Sequence, residues 1–174
     1  MCIRDRVKNI KKVYLISRKD LIKKSLINDR VQLLERTTKL DEDKVSLGHV
    51  LKWGLEKLNQ KKHYPDYVIY INPEYIFRPE NLLDRLIDDA CYKGLDSVFV
   101  GYSEYTNYWN YDEEKDDYLP FGGDLRSRSE KHPLYKSLFG LGCIAKSSII
   151  RNAEIVGKER IGIIATSDIK HTLR

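Results

Sequence analysis

The segment Tyr67–Tyr102, YVIYINPEYIFRPENLLDRLIDDACYKGLDSVFVGY, decides how the rest of the sequence is read. It opens on Tyr67-Val68-Ile69-Tyr70-Ile71, a β-rich run too short for a helix and bracketed by Pro65 and Pro73. The chain breaks at Asn72-Pro73, and Pro79 stands where its fixed φ and missing N–H suit a first helical position. Leu82, Leu83, Leu86, Ile87, Ala90 and Cys91 then recur at i, i+3, i+4 spacing, which gives a helix one apolar face. Gly94 ends that helix, and Ser97-Val98-Phe99-Val100 reads as a second buried strand. Strand, loop, helix and strand within about forty residues make a βαβ unit with a right-handed crossover. In such sheets ligands bind beyond the carboxyl ends of the strands, so the loop Asn72 to Arg78 is the first place to look for chemistry.

Outward from this unit the pattern repeats. Val13 to Ile16 and Val31 to Leu34 read as short strands, with a helix expected over Asp20 to Asn28 whose inner face holds Leu21, Ile22, Ser25 and Leu26. A polar loop, Glu35 to Lys44, leads to a helix marked by Val45, Leu47, Val50, Leu51, Leu55 and Leu58, with Asp43 as its expected cap. Downstream, Leu138 to Ile144 reads as a strand holding two glycines, Ser147 to Asn152 as a short helix and Ile161 to Ile164 as a last strand. Alternating strands and helices predict one three-layer α/β domain with a mostly parallel sheet. Between them, Tyr102 to Phe121 carries five tyrosines, Trp109 and an acidic run, then turns at Pro120 and Gly122-Gly123. It reads as an arm, about residues 103 to 131, suited to a contact with a second copy of the chain.

The composition sets bounds. With 174 residues, 41% hydrophobic and 33% charged, the chain suits one globular domain with its own core. No apolar run approaches the roughly 20 residues that span a bilayer, and no signal peptide is visible. Three widely spaced cysteines without a CxxC pair read as reduced thiols in a cytoplasmic protein, with Cys91 and Cys143 as small core residues. The net charge of +5 is uneven: residues 1–30 hold ten Lys or Arg against three Asp. A nucleic-acid-binding face accounts for this less well than lysines on a solvated helix, because no stacking-aromatic pattern accompanies them. The first six residues, MCIRDR, match the translation of a common sequencing-library transposon end, so residues 7–174 are taken as the domain.

GxxxxGK[ST], GxSxG and HExxH motifs are all missing from the sequence. The Asn72–Arg78 loop offers an amide, the Glu74 carboxylate and a guanidinium, a set that can hold a sugar or phosphate or, equally, pin the sheet edge. The order of segments adds more. Arg36-Thr37-Thr38-Lys39-Leu40-Asp41-Glu42-Asp43-Lys44-Val45-Ser46 keeps the spacing of a pattern RP..LA.D.AS, and Ile71-Asn72-Pro73-Glu74-Tyr75-Ile76-Phe77-Arg78 that of LQPTSPLR. Leu55-Glu56-Lys57-Leu58 is similar to the end of VLLHALE, and Lys93 to Val100 to KGADSVVSV. Arg126 to Ile144 is similar to R.RQ..P..Y..NGAIYI, with Arg128, Pro133 and Gly142 in register. Together these resemble the cytidylyltransferases that activate acidic sugars, the CMP-sialic acid and Kdo synthetases, over residues 13–174.

That resemblance implies a Rossmann-like nucleotidyltransferase sheet, CTP and a sialic-acid-like sugar acid as substrates, Mg²⁺ as cofactor and a homodimer formed through the arm. It implies cytidine contacts at Arg36, Val45 and Ser46, and sugar contacts at Asn72, Arg78 and Arg128. Glu74 and Asp168 are its candidate metal ligands. No catalytic residue is assigned. The family's Gly- and Lys-rich phosphate loop, IPARGGSKGIPGKN, has no counterpart before Val13, so the chain is expected to be a fragment, incomplete at its N-terminus and inactive alone. The competing expectation is a non-catalytic interaction or dimerisation module of the same fold.

Overall fold

The unit read from Tyr67–Tyr102 forms in the computed structural model, which describes residues 10, 12–22, 27–36, 45–121, 127 and 130–174. Strand β3 (Tyr67–Tyr70) leads through the Asn72 loop to helix α2 (Leu82–Tyr92) and strand β4 (Ser97–Glu104). Helix α2 begins three residues after Pro79, because Asn81 sits in the left-handed region at φ 54° and delays the first turn. At the far end Gly94 takes φ 59°, the conformation that ends a helix at least cost in glycine. Leu82, Leu83, Leu86 and Ala90 are buried as the spacing requires, whereas Cys91 is exposed and not a core residue.

The two parallel strands of the unit are not neighbours. Strand β8 (Cys143–Lys146) lies between them, antiparallel to both, with Ile69 opposite Ile144 and Ile144 opposite Val98. Strand β7 (Leu134–Ser137) continues β8's path along β4, and β9 (Ile161–Thr166) pairs parallel with β4's other edge. Three of the four ladders in this five-stranded sheet are therefore antiparallel, which corrects the expectation of a mostly parallel sheet. The cause is one reversed strand placed centrally, since β3, β4 and β9 all run the same way.

That reversed strand is also interrupted. Between Ser137 and Cys143 the backbone leaves the ladder while both polar groups of Val100 stay paired. Leu138 N–H donates to the Val100 carbonyl at 2.8 Å, and Val100 N–H donates to the Gly142 carbonyl at 3.0 Å. The expected strand over Leu138 to Ile144 is thus an excursion followed by β8. Phe139 on this excursion packs edge-on against Phe99, with ring centroids 5.1 Å apart.

Period-two alternation splits the sheet into two cores. Tyr67, Ile69, Val98, Val100, Ile144 and Ile164 face α2. Val68, Tyr70 and Ala145 face α1 (Leu47–Gln60) and α3 (Ser147–Arg151). This is the three-layer arrangement expected. Helix α1 presents Gly48 to the Ala153 carbonyl so closely that an added Cβ would lie 1.8 Å from that oxygen. Its N-cap is Ser46, whose Oγ accepts from His49 N–H, while the expected cap Asp43 lies outside the described residues.

Strands β1 (Val13–Ser17) and β2 (Val31–Glu35) form a separate parallel pair, and Ile16 and Leu34 reach Gly54 of α1. Between them the expected Asp20–Asn28 helix reduces, among the described residues, to one 3-10 turn over Lys19–Leu21, with Leu21 exposed. Ser25 and Leu26 lie outside the described residues. Asn28 Oδ1 accepts from the N–H groups of Arg30 and Val31, a side-chain turn that competes with helix and feeds the chain into β2.

The arm is a hairpin of β5 (Tyr108–Asp112) and β6 (Asp117–Phe121), held apart from the main sheet. Tyr111 donates its hydroxyl to Asp116 and stacks obliquely on Tyr118. No helix among the described residues is long and apolar enough to cross a membrane.

Burial pushes the Cys143 thiol up to about 12 from its ordinary 9.0, and its Sγ–H donates to the Ile155 carbonyl at 3.7 Å. Peptide mapping after alkylation at pH 8 should find Cys91 modified and Cys143 modified only in denaturant. Because the unfolded thiol ionises first, the stability this burial carries is present below about pH 9 and is lost as pH rises towards 12. Chemical denaturation across that range should show the fall, with a shallower fall in Cys143→Ala.

Candidate functional site

The carboxyl end of β3 is built by one side-chain turn and one buried cation. Asn72 Oδ1 accepts from Glu74 N–H at 3.0 Å, and its Nδ2 donates to the Glu74 carboxylate at 2.9 Å. Asn72 N–H donates to the Gly140 carbonyl at 2.7 Å, which ties this turn to the β7–β8 excursion. Tyr75 follows, only 3% exposed, with its ring laid over Gly140. A Cβ at Gly140 would stand 2.6 Å from that ring, so glycine is required by close approach.

Arg78 fastens the same two segments. Its Nε donates to the Leu141 carbonyl at 2.7 Å, and its Nη2 donates to Asn72 and Gly140 carbonyls at 3.2 and 3.4 Å. A guanidinium captures an oxyanion bidentately through Nε with Nη2 or through Nη1 with Nη2. Both faces need Nη2, whose two hydrogens are taken here. Arg78 is therefore a clamp on irregular backbone, and burial pulls its guanidinium below the usual value without discharging it.

The structure places the other predicted residues separately. Arg36 ends β2, is half-buried and donates its backbone N–H to the Ser17 carbonyl at 2.9 Å. Val45 is half-buried and Ser46 exposed at the N-terminus of α1, where Ser46 Oγ and His49 Nδ1 lie 2.7 Å apart. Arg128 lies outside the described residues. Asp168 follows β9 and caps the 3-10 turn Ile169–Thr172. The Lys170 ammonium 2.7 Å from its Oδ2 holds its carboxyl below the usual carboxylate range.

Neither candidate carboxylate is in a metal-binding set. Glu74 is engaged with the Asn72 amide and Asp168 with Lys170. Among the described residues no three His, Cys, Asp or Glu side chains converge as ligands for a cation. These residues do not fit a resident Mg²⁺, which needs an octahedral set of oxygens.

One residue of this region escaped the reading of the sequence. Arg174 donates Nε–H to the Tyr75 hydroxyl at 3.1 Å and lies over the Tyr75 ring at 5.0 Å. The Tyr70 phenol is pushed up by burial first and by Glu74 next, and is pulled down by Arg174, so both charges bear on the end of β3. Nothing in the sequence around Arg174 links it to a loop a hundred residues away; the aromatic Tyr75 inside a polar loop was the one available signal.

Neither a scan against family models nor a sequence comparison with curated proteins finds a match. Among solved structures, the chain is similar to 4-diphosphocytidyl-2C-methyl-D-erythritol synthase from Anaerococcus prevotii DSM 20548. The TM-score is 0.67 at 14% identity, over 97% of this chain and 75% of that one. It also aligns with HddC from Yersinia pseudotuberculosis at TM-score 0.49 and 14% identity, over 93% of this chain and 74% of that one. The synthase and this chain share a fold.

Arg78→Met should lower stability by about 1–3 kcal/mol in urea denaturation, because it leaves the Leu141 carbonyl without its donor, while the Gly140 and Asn72 carbonyls keep the N–H groups of Asn72 and Tyr75. Arg78→Lys should recover only part of that loss, since a point charge cannot serve three carbonyls in the plane of a guanidinium.

Proposed function

We propose that this chain is the nucleoside- and sugar-binding part of a CTP-dependent nucleotidyltransferase that joins a cytidylyl group to an acidic sugar. The observation that carries the reading is the sheet itself. Over 97% of the chain its fold is similar to that of a synthase whose name describes a diphosphocytidyl product. The ordered motifs from Arg36 to Gly142 support it independently.

In the proposed reaction a sugar hydroxyl attacks the α-phosphorus of CTP in line. A new P–O bond forms as the bond to the β-phosphate bridging oxygen breaks, and pyrophosphate leaves with that electron pair. The attacking oxygen's proton passes to solvent. The residues proposed to contact cytidine are Arg36, Val45 and Ser46, and Asn72 is the one proposed beside the sugar. Mg²⁺ supplied with the nucleotide would neutralise charge on the phosphate oxygens, and no residue of this chain is assigned to hold it.

Binding is the direct test, because no Gly- and Lys-rich phosphate loop occurs in residues 1–174. Calorimetric titration should give saturable CTP binding, with GTP much weaker, and Arg36→Ala should weaken CTP roughly tenfold. Equal binding of all nucleotides, or none, defeats the reading.

We further propose that two copies associate through the arm. All of β5–β6 except Asp112 is exposed, including Trp109 at 53%, Tyr118 at 64% and Phe121 at 51%. A lone two-stranded hairpin is marginal in water, and a partner that covers these rings would stabilise it. Sedimentation should show a dimer that Trp109→Asp converts to monomer.

A further inference from the structure

Arg78 is one of two arginines expected at the sugar, with Arg128, and its fork is spent on carbonyls. Arg174 stands in the opposite condition. Only its Nε is engaged, by the Tyr75 hydroxyl, and among the described residues no acceptor holds Nη1 or Nη2. The end-on face of its fork is thus complete. Its plane is steadied by the Tyr75 ring, which is itself locked over Gly140. An arginine pre-oriented in this way loses little freedom when it takes up two coplanar oxygens.

The position suits that role. Residues 167–174 leave β9 at one edge of the sheet and reach Tyr75, which follows β3 at the other. The strand order β3-β8-β4-β9 means the segment must cross the ends of β4 and of the β7–β8 excursion. It is anchored on the way by His171, 9% exposed, whose Nδ1 lies 2.7 Å from Thr166 Oγ1, and by Asp168 capping Lys170 N–H. Arg174 itself remains exposed, held against Tyr75 just beyond the carboxyl end of β3.

We infer that Arg174 is the residue that recognises the oxyanion of the acceptor substrate, through a bidentate Nη1/Nη2 contact, with Tyr75 as its positioning residue. This rests on the nucleotidyltransferase reading. The shared chemistry is a terminal group with two acceptor oxygens, and either a sugar carboxylate or a sugar phosphate supplies it. Asn72 and Glu74 are bonded to each other in the turn that leads to Tyr75, and the Glu74 charge disfavours a second anionic group close by.

The experiment titrates wild type, Arg174→Gln, Arg174→Lys and Tyr75→Phe with N-acetylneuraminate, with erythritol 4-phosphate and, separately, with CTP. Wild type is expected to bind one of the two anionic sugars, which identifies the source of the oxyanion. Arg174→Gln should weaken that sugar at least tenfold, since a charge-assisted pair is lost, and leave CTP unchanged. Arg174→Lys should fall between, and Tyr75→Phe should cost a few-fold while the charge remains. Melting temperatures of the Arg174 variants should match wild type, which separates recognition from a structural role. Sugar binding that is the same in Arg174→Gln and wild type overturns the assignment, as does failure of wild type to bind either anion. If CTP does not bind while sugar binding still falls in Arg174→Gln, the nucleotide reading fails and the assignment of Arg174 stands.

Discussion

Three backbone carbonyls and one guanidinium tie the carboxyl end of β3 to the β7–β8 excursion. The β7–β8 strand leaves its ladder between Ser137 and Cys143, and such irregular backbone exposes carbonyls that no neighbouring strand can satisfy. Arg78 supplies donors to two of them, at Gly140 and Leu141, and to the Asn72 carbonyl of the adjoining loop. The partial burial that would penalise the cation is offset chiefly at the Leu141 carbonyl, which has no other donor among the described residues, while the Gly140 and Asn72 carbonyls also accept the N–H groups of Asn72 and Tyr75. Each partner removes the other's cost. From this follow the tight Asn72–Glu74 turn, the seat of the Tyr75 ring over Gly140 and, through Tyr75, the placement of Arg174.

The excursion itself has a reason in the sheet. Val100 on β4 keeps both of its backbone bonds, to Leu138 and Gly142, so leaving the ladder costs the central strand nothing. Meanwhile Leu138 and Leu141 drop into the core beneath α2, at 2% and 0% exposure, and Phe139 returns to Phe99. The irregular stretch is therefore apolar on its inner side and carbonyl-rich on its outer side. A regular strand could not supply both at the mouth of a crevice.

Much of this architecture could be read from residue order. The period-two alternation of Tyr67 to Tyr70, the helical stripe from Leu82 to Ala90 and the stop at Gly94 all place themselves, because each depends on local geometry. Strand direction does not. A buried strand such as Cys143–Lys146 has the same apolar pattern read either way, so its reversal between β3 and β4 is invisible without the register. Cys91 shows a related limit: its spacing continues the apolar stripe, yet α2 has turned it to solvent. Asp43 and Ser46 are both good caps, three residues apart, and spacing alone cannot choose between them.

Residue order places the Asn72–Arg78 loop at the end of β3 but does not show what its side chains contact. The rule that ligands gather beyond strand carboxyl ends led to Asn72–Arg78, and that loop is the convergence point of the excursion, the β3 end and the chain after β9. An arginine, however, looks the same in sequence whether it faces a substrate or a carbonyl. What separates Arg78 from Arg174 is which nitrogens are already bonded, and that is a property of the fold. The cluster makes this division of labour necessary. A free Arg78 would leave the Leu141 carbonyl without a donor, and a Tyr75 without its seat on Gly140 could not hold a second guanidinium in a fixed plane. Structural and recognition duties that one arginine cannot perform together are thus divided between two, coupled through a single buried tyrosine ring.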